Sequence, residues 1–170
     1  IVPLGSSFYT VQVISYLADV YRGRVAAQKN PAKFMLFVMF FPQIVQGPIP
    51  RYERLAGQLY DGHRFDERMV VGGFYRILWG FFLKLMIADR AAVFVNWVYE
   101  LDYEYVGCYV LIAGILYSIE LYADFAACIS ISKGVANLFG IQLADNFRHP
   151  YLAVSVKDFW HRWHISLSEW

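Results

Sequence analysis

The sequence predicts an all-α fold, a polytopic membrane helical bundle, on three observations. The chain is 58% hydrophobic, 19% aromatic and only 17% charged, with a mean hydropathy of +0.38, whereas globular domains run near a quarter charged. Its apolar residues fall in runs close to the ~17–25 residues that span a bilayer as helix. Its charges gather between those runs and sort by sign, basic segments on one side and an acidic one on the other. A re-entrant segment and interfacial helices are expected beside the spans. The formal net charge of +1 excludes the basic excess that a nucleic-acid partner needs. Ile1-Val2-Pro3-Leu4 has neither an initiator Met nor the features of a signal peptide. The expectation is one membrane domain over residues 1–170, internal to a longer protein and truncated at both ends.

Gly5 to Tyr21 is the first run. Gln12, Ser15 and Asp19 lie at i, i+3 and i+7 on it, a polar stripe for other helices or for a wet cavity. Arg22, Arg24, Lys29 and Lys33 follow without an acid, which places this loop on the cytoplasmic side. The next run, Phe34 to Ile49, is short and interrupted by Pro42, Gly47 and Pro48. Proline removes a backbone donor and clashes with the preceding turn, so the segment reads as re-entrant or as a kinked crossing. Pro50 to Arg68 reads as a charged loop.

Met69 to Tyr99 is about 31 residues, roughly 46 Å as one helix and too long for an untilted span. A span to Ala88, an interruption at Asp89-Arg90 and a shorter apolar piece are expected. Arg76 and Lys84 then reach opposite surfaces by snorkelling. Glu100 to Glu104 holds three acids and no base, so it is placed outside. Val106 to Ile131 crosses back, carrying Glu120 and Asp124 at i, i+4. Such carboxylates face a basic partner on another helix, or they serve a function, since charge at membrane depth is costly. Ser132 to Leu143 reads as a separate amphipathic helix at the interface. Cys108 and Cys128 lie in apolar runs and read as buried thiols rather than a disulfide.

The richest stretch is Asp145 to Trp170, DNFRHPYLAVSVKDFWHRWHISLSEW. As one helix it aligns Trp160, Trp163, Leu167 and Trp170 on an apolar face, with His161, His164 and Ser168 on the adjacent strip. Two histidines at i, i+3 without a flanking Cys or a placed third ligand make a poor metal site, and none is expected. No G-x-S-x-G elbow and no Gly-rich phosphate loop occur. On composition alone, broken helices with intramembrane charge suit a transporter or channel.

Four motifs in order change that ranking: FFPQIVQGPIPRY (Phe40 to Tyr52), ELYADF (Glu120 to Phe125), DNFRHPYLA (Asp145 to Ala153) and DFWHRWHISLSEW (Asp158 to Trp170). Together they resemble the membrane-bound O-acyltransferase family, in its bacterial branch of alginate O-acetyltransferases and teichoic-acid D-alanyl transferases. The resemblance implies transfer of an acyl group, acetyl first, from a thioester donor to a hydroxyl of an extracytoplasmic polysaccharide or envelope polymer. It implies no tightly bound cofactor, the donor being an acyl-CoA or acyl-carrier protein as co-substrate. It also implies a multi-pass protein of the bacterial cytoplasmic membrane, whose partners are the bilayer, the donor and polymer-modifying envelope proteins. The WHISLS motif places one histidine of the family's pair at His164, in an auxiliary role, with the main catalytic histidine expected beyond residue 170. Glu120, Asp124, Asn146, Trp163 and Ser168 are the expected substrate or tunnel lining. Two departures stand out: AACISISKG follows Phe125 where relatives carry a further acid, and His161 replaces an arginine of FWRRWH.

Overall fold

A computed structural model describes residues 5–44, 47–100 and 107–169, and among these the regular structure is entirely helical. The first run forms α1 (Ser6–Tyr21). Asn30 then caps α2 (Pro31–Val38), its side chain accepting from Ala32 and Lys33 while Pro31 opens the helix, where a missing N–H costs nothing. The chain breaks at Met39-Phe40 and resumes as the single turn α3 (Phe41–Ile44), so the proline-broken reading of this run holds. Pro50 to Arg68 is not all loop. Tyr52, Leu55, Ala56 and Leu59 are spaced at i, i+3, i+4 and i+7, and they bury one face of α4 (Tyr52–Tyr60).

The core around this half joins Tyr16, Phe37, Tyr52, Leu55 and Ala56 with Ala136, Ile141 and Leu143. Its aromatic rings meet at tilted or edge-on angles, Tyr16 and Tyr52 at 4.7 Å and Phe37 and Tyr52 at 4.9 Å between centroids. Polar groups inside it are paired. Gln12 donates to the Phe37 carbonyl at 2.8 Å, and Gln28 bridges the Tyr16 and Tyr52 hydroxyls. The polar stripe of α1 is thus divided, Gln12 serving helix–helix bonding and Asp19 pairing with Arg24 at 3.6 Å.

Among the described residues, two helices are long and apolar enough to cross a bilayer. The first is one continuous rod, α5 (Glu67–Phe82), a π-helical segment (Leu83–Ala88) and α6 (Asp89–Glu100). Asp89-Arg90 therefore does not interrupt it, contrary to the sequence reading. Within a π segment hydrogen bonds join residues five apart, and here the Asp89 N–H donates to the Lys84 carbonyl. That register places the Lys84 ammonium 3.0 Å from Asp89. The second rod is α7 (Cys108–Leu138). It runs straight through Ser132, so the separate interfacial helix expected from Ser132 to Leu143 is replaced by the buried end of α7, where Ser132, Lys133, Gly134 and Ala136 lie inside.

The rods pack antiparallel at backbone distance. A β-carbon on Gly80 would meet Ile131 Cγ1 at 2.5 Å and the Ala127 carbonyl at 2.8 Å, and one on Gly134 would meet the Gly73 carbonyl at 2.6 Å. Small residues permit this approach, as in membrane helix pairs. Cys108 is exposed, against expectation, and Cys128 is half-buried; neither is bridged. The acidic segment from Leu101 to Glu104, and Trp170, lie outside the described residues.

Candidate active site

Beyond α7 the chain doubles back as a clasp. Lys133, buried at the end of α7, bonds Asp145. Burial works to raise the Asp145 carboxyl, but the Lys133 ammonium, with Arg76 and Arg148 further off, prevails and holds it below the usual range. Phe147 then pairs antiparallel with Trp163. The Arg148 N–H donates to the Arg162 carbonyl at 3.0 Å, and the Ile165 N–H donates to the Asn146 carbonyl at 3.0 Å. Pro150 opens the short 3₁₀ turn Pro150–Leu152.

The long terminal helix expected from sequence is two short ones, α8 (Val156–Arg162) and α9 (Ile165–Glu169). Ser155 caps α8 by accepting from Asp158 N–H at 3.1 Å, and Asp158 pairs with Arg162 at 2.8 Å. The aligned faces of a single helix therefore do not form. Between the two helices His164 adopts φ 47°, in the left-handed region. Non-glycine residues are uncommon there, histidine less so than most.

Trp163 sits in an aromatic cage. Phe159 stacks on it at 5.5 Å, Phe147 meets it edge-on at 5.2 Å, and Tyr122 and Tyr151 approach at 6.1 and 6.2 Å. The His164 ring stands edge-on to Phe125 at 4.8 Å. His164 is half-buried, and its Nδ1 is enclosed without a hydrogen-bond partner among the described residues. Burial lowers its pKa below the ordinary histidine value, which favours the neutral imidazole at pH 7. A neutral imidazole holds both a donor and an acceptor. It is therefore equipped to take a proton from an alcohol or to donate to a developing oxyanion.

The other expected residues separate into near and far. Asn146 belongs to the clasp: it is 1% exposed, and its Oδ1 accepts from Ser166 N–H at 3.1 Å. Ser168 is exposed and donates to the Trp160 carbonyl at 2.8 Å, closing the α8–α9 corner. Asp124 faces Lys84 at 2.6 Å, while Tyr122 and Phe125 of the same helix reach Trp163 and His164. Glu120 Oε2 is enclosed without a partner among the described residues, so the two carboxylates do not share the Lys84 cation. His149 and His161 are exposed. Among the described residues no three His, Cys, Asp or Glu side chains gather as a metal-binding group.

Sequence reasoning missed Ser166. It is buried, and its Oγ accepts from the Ile49 N–H at 3.0 Å, tying the histidine motif to the Gly47-Pro48 stretch far upstream. Gly47 is needed there because a β-carbon would lie 2.9 Å from Gln43 Cα. The signal was present in the co-occurrence of the two motifs, which only a fold turns into a contact. A cavity of about 410 Å³ opens beside this junction, lined by Pro48, Ile49, Arg51, Arg54, Ser166 and Glu169 among others.

With this geometry in place, relatives of known description are informative. Over its full length the chain is 36% identical to a probable alginate O-acetylase AlgI of Pseudomonas fluorescens, of which it spans 34%. It is 31% identical to a peptidoglycan O-acetyltransferase of Helicobacter pylori, over 99% of the chain and 37% of that protein. It is 29% identical to a teichoic acid D-alanyltransferase of Bacillus subtilis, over 98% of the chain and 43% of that protein. The chain thus spans about a third of the length of these O-acetylating relatives. The profile of the membrane-bound O-acyltransferase family, MBOAT, matches residues 25–170. Enzymes that transfer acyl groups, rather than transporters, are what it resembles. The chain belongs to the membrane-bound O-acyltransferase family.

Proposed function

We propose that the protein containing this chain is a multi-pass acyltransferase of the bacterial cytoplasmic membrane, moving an acetyl group from a thioester donor to a hydroxyl of an extracytoplasmic polysaccharide or envelope polymer. The observation that carries this reading is the His164 site: an imidazole kept toward neutrality by burial, with Nδ1 enclosed and without a partner among the described residues, inside the WHISLS motif. Acetyl is preferred to D-alanyl because the O-acetylating relatives share 31–36% identity and the D-alanyl ones 28–29%. The chain offers no tightly held cofactor a role. The donor, acyl-CoA or a carrier protein, enters as co-substrate.

In the reaction the polymer hydroxyl oxygen attacks the thioester carbonyl, the carbon–sulfur bond breaks, and the hydroxyl proton passes by way of an imidazole to the departing thiolate. His164 supplies one histidine of a pair, orienting the acceptor or donating to the oxyanion, and sequence beyond Trp170 supplies the other. Trp163, Tyr122 and Phe125 wall the path, Asp124 and Glu120 contribute to the lining from α7, and Ser168 contributes from α9. The Phe34 to Ile49 segment dips into the bilayer and returns, so that its Gly47-Pro48 stretch meets Ser166. The basic loop from Arg22 to Lys33 faces the cytoplasm, where a donor or carrier protein docks. Envelope proteins that modify the same polymer are the remaining partners.

The test is transfer of labelled acetyl to polymer by membranes containing the full-length protein. Labelled polymer after incubation with acetyl-CoA or an acetyl-carrier protein supports the reading. Transfer from a labelled D-alanyl thioester but not from an acetyl one would reassign the acyl group, and no transfer from any thioester would refute the assignment.

A further inference from the structure

The backbone of His164 carries a cost that its own sequence neighbourhood does not offset. At φ 47° the β-carbon crowds the following carbonyl, by about 1–2 kcal/mol for an ordinary L-residue. Trp163-His164-Ile165 contains no glycine or asparagine to ease it. The conformation is therefore held from outside, and the holding contacts converge on Asn146. The Ile165 N–H donates to the Asn146 carbonyl at 3.0 Å, and the Ser166 N–H donates to Asn146 Oδ1 at 3.1 Å. These are the first amides of α9, which no acceptor within the helix can serve. A residue 20 positions upstream thus does what an N-cap side chain ordinarily does next door. Because Asn146 is 1% exposed, water cannot replace either bond, and losing the side-chain oxygen strands a buried donor.

We propose that Asn146 is a positioning residue for His164: its backbone and side-chain oxygens cap α9 across the clasp and lock His164 in the left-handed turn that sets its imidazole against Phe125. The proposal rests on the reading of His164 as part of the acyl-transfer site for its functional consequence, while its structural content stands apart from that reading. It divides the amide by atom. Oδ1 carries the positioning, and Nδ2, enclosed and without a partner among the described residues, is dispensable to it. Aspartate at this position keeps the oxygen that Ser166 needs, and its negative charge suits a helix N-terminus. Alanine removes the oxygen.

The experiment compares full-length wild type, Asn146→Ala, Asn146→Asp and His164→Ala in membrane vesicles. The first readout is modification of each histidine by diethyl pyrocarbonate, quantified by mass spectrometry, with exposed His149 and His161 as internal references. Asn146→Ala is expected to raise the His164 rate severalfold relative to His161, and Asn146→Asp to stay within about twofold of wild type. The second readout is acetyl transfer from labelled acetyl-CoA to alginate oligosaccharides. Here kcat is expected to fall roughly tenfold or more in Asn146→Ala with donor KM little changed, as for a lost orientation effect, and to recover in Asn146→Asp. An unchanged His164 modification rate in Asn146→Ala would overturn the proposal. So would an Asn146→Asp variant whose His164 modification rate and kcat depart severalfold from wild type, and that comparison with wild type decides the matter even if Asn146→Ala fails to accumulate. Wild-type transfer by His164→Ala would instead remove His164 from the site, and the modification pattern would still judge the positioning claim by itself.

Discussion

Replacing Lys84 by Met tests whether the two long rods lie in hydrocarbon. The ammonium is shared between Asp124 at 2.6 Å and Asp89 at 3.0 Å, and the three side chains are 43–45% exposed in this chain by itself. If that exposed part met water, the cluster would behave as a surface ion pair, worth about 0–1 kcal/mol. If it meets lipid or packed helices, the variant leaves two aspartates without a cation. Each costs roughly 2.5–3.5 kcal/mol at mid-membrane on insertion scales. Protonation and local water relieve part of that sum, which brings the expected loss to about 3–5 kcal/mol, the range for broken buried pairs. Removing the carboxylates as well, in Lys84→Met/Asp89→Asn/Asp124→Asn, should recover most of it. The assay is denaturant unfolding of the full-length protein in lipid bicelles, followed by tryptophan fluorescence. A Lys84→Met variant within about 1 kcal/mol of wild type would place the cluster in water and refute the bilayer placement of this stretch.

Other perturbations probe other parts of the architecture. Gly80→Leu should destabilise by about 1–3 kcal/mol in the same unfolding assay, because even a β-carbon there meets Ile131 and the Ala127 carbonyl; an undisturbed variant would mean the α5–α7 crossing is looser than described. For pH, burial lowers the His164 pKa, so the unfolded chain binds the proton more readily. The associated stability is complete above the ordinary value of 6.5 and is lost as pH falls below it. His164→Gln should flatten that slope, and an unaltered slope would assign it to another group. A membrane-impermeant maleimide should label exposed Cys108 from the periplasmic side of intact cells and leave half-buried Cys128 unmodified. Labelling only after the cells are opened would invert the proposed topology.

The two long apolar helices were legible because length and apolarity mark them, whatever they pack against. Their registers were not. Nothing in Leu83–Ala88 locally favours π-helical bonding, and the reward lies 40 residues away, in the Lys84–Asp124 pair. Ser132 and Lys133 looked like the start of a surface helix because a lysine normally seeks water. Here its ammonium meets Asp145 at the end of α7, so the helix continues inward. The clasp hid itself more thoroughly. Trp160 through Glu169 keeps helical periodicity with no glycine or proline, and the break at His164 comes from Asn146 claiming the amides of Ile165 and Ser166. The motif that names the family was readable in the chain, but the contacts that shape it were not.

The central claim is that His164 works in acyl transfer, and the most direct measurement is the acetyl-transfer rate of full-length His164→Ala against wild type at equal amounts in membranes. General acid–base or oxyanion assistance of this kind is worth roughly 10²- to 10⁴-fold, and a fall of that size with intact folding is the predicted result. A variant transferring acetyl at the wild-type rate would contradict it.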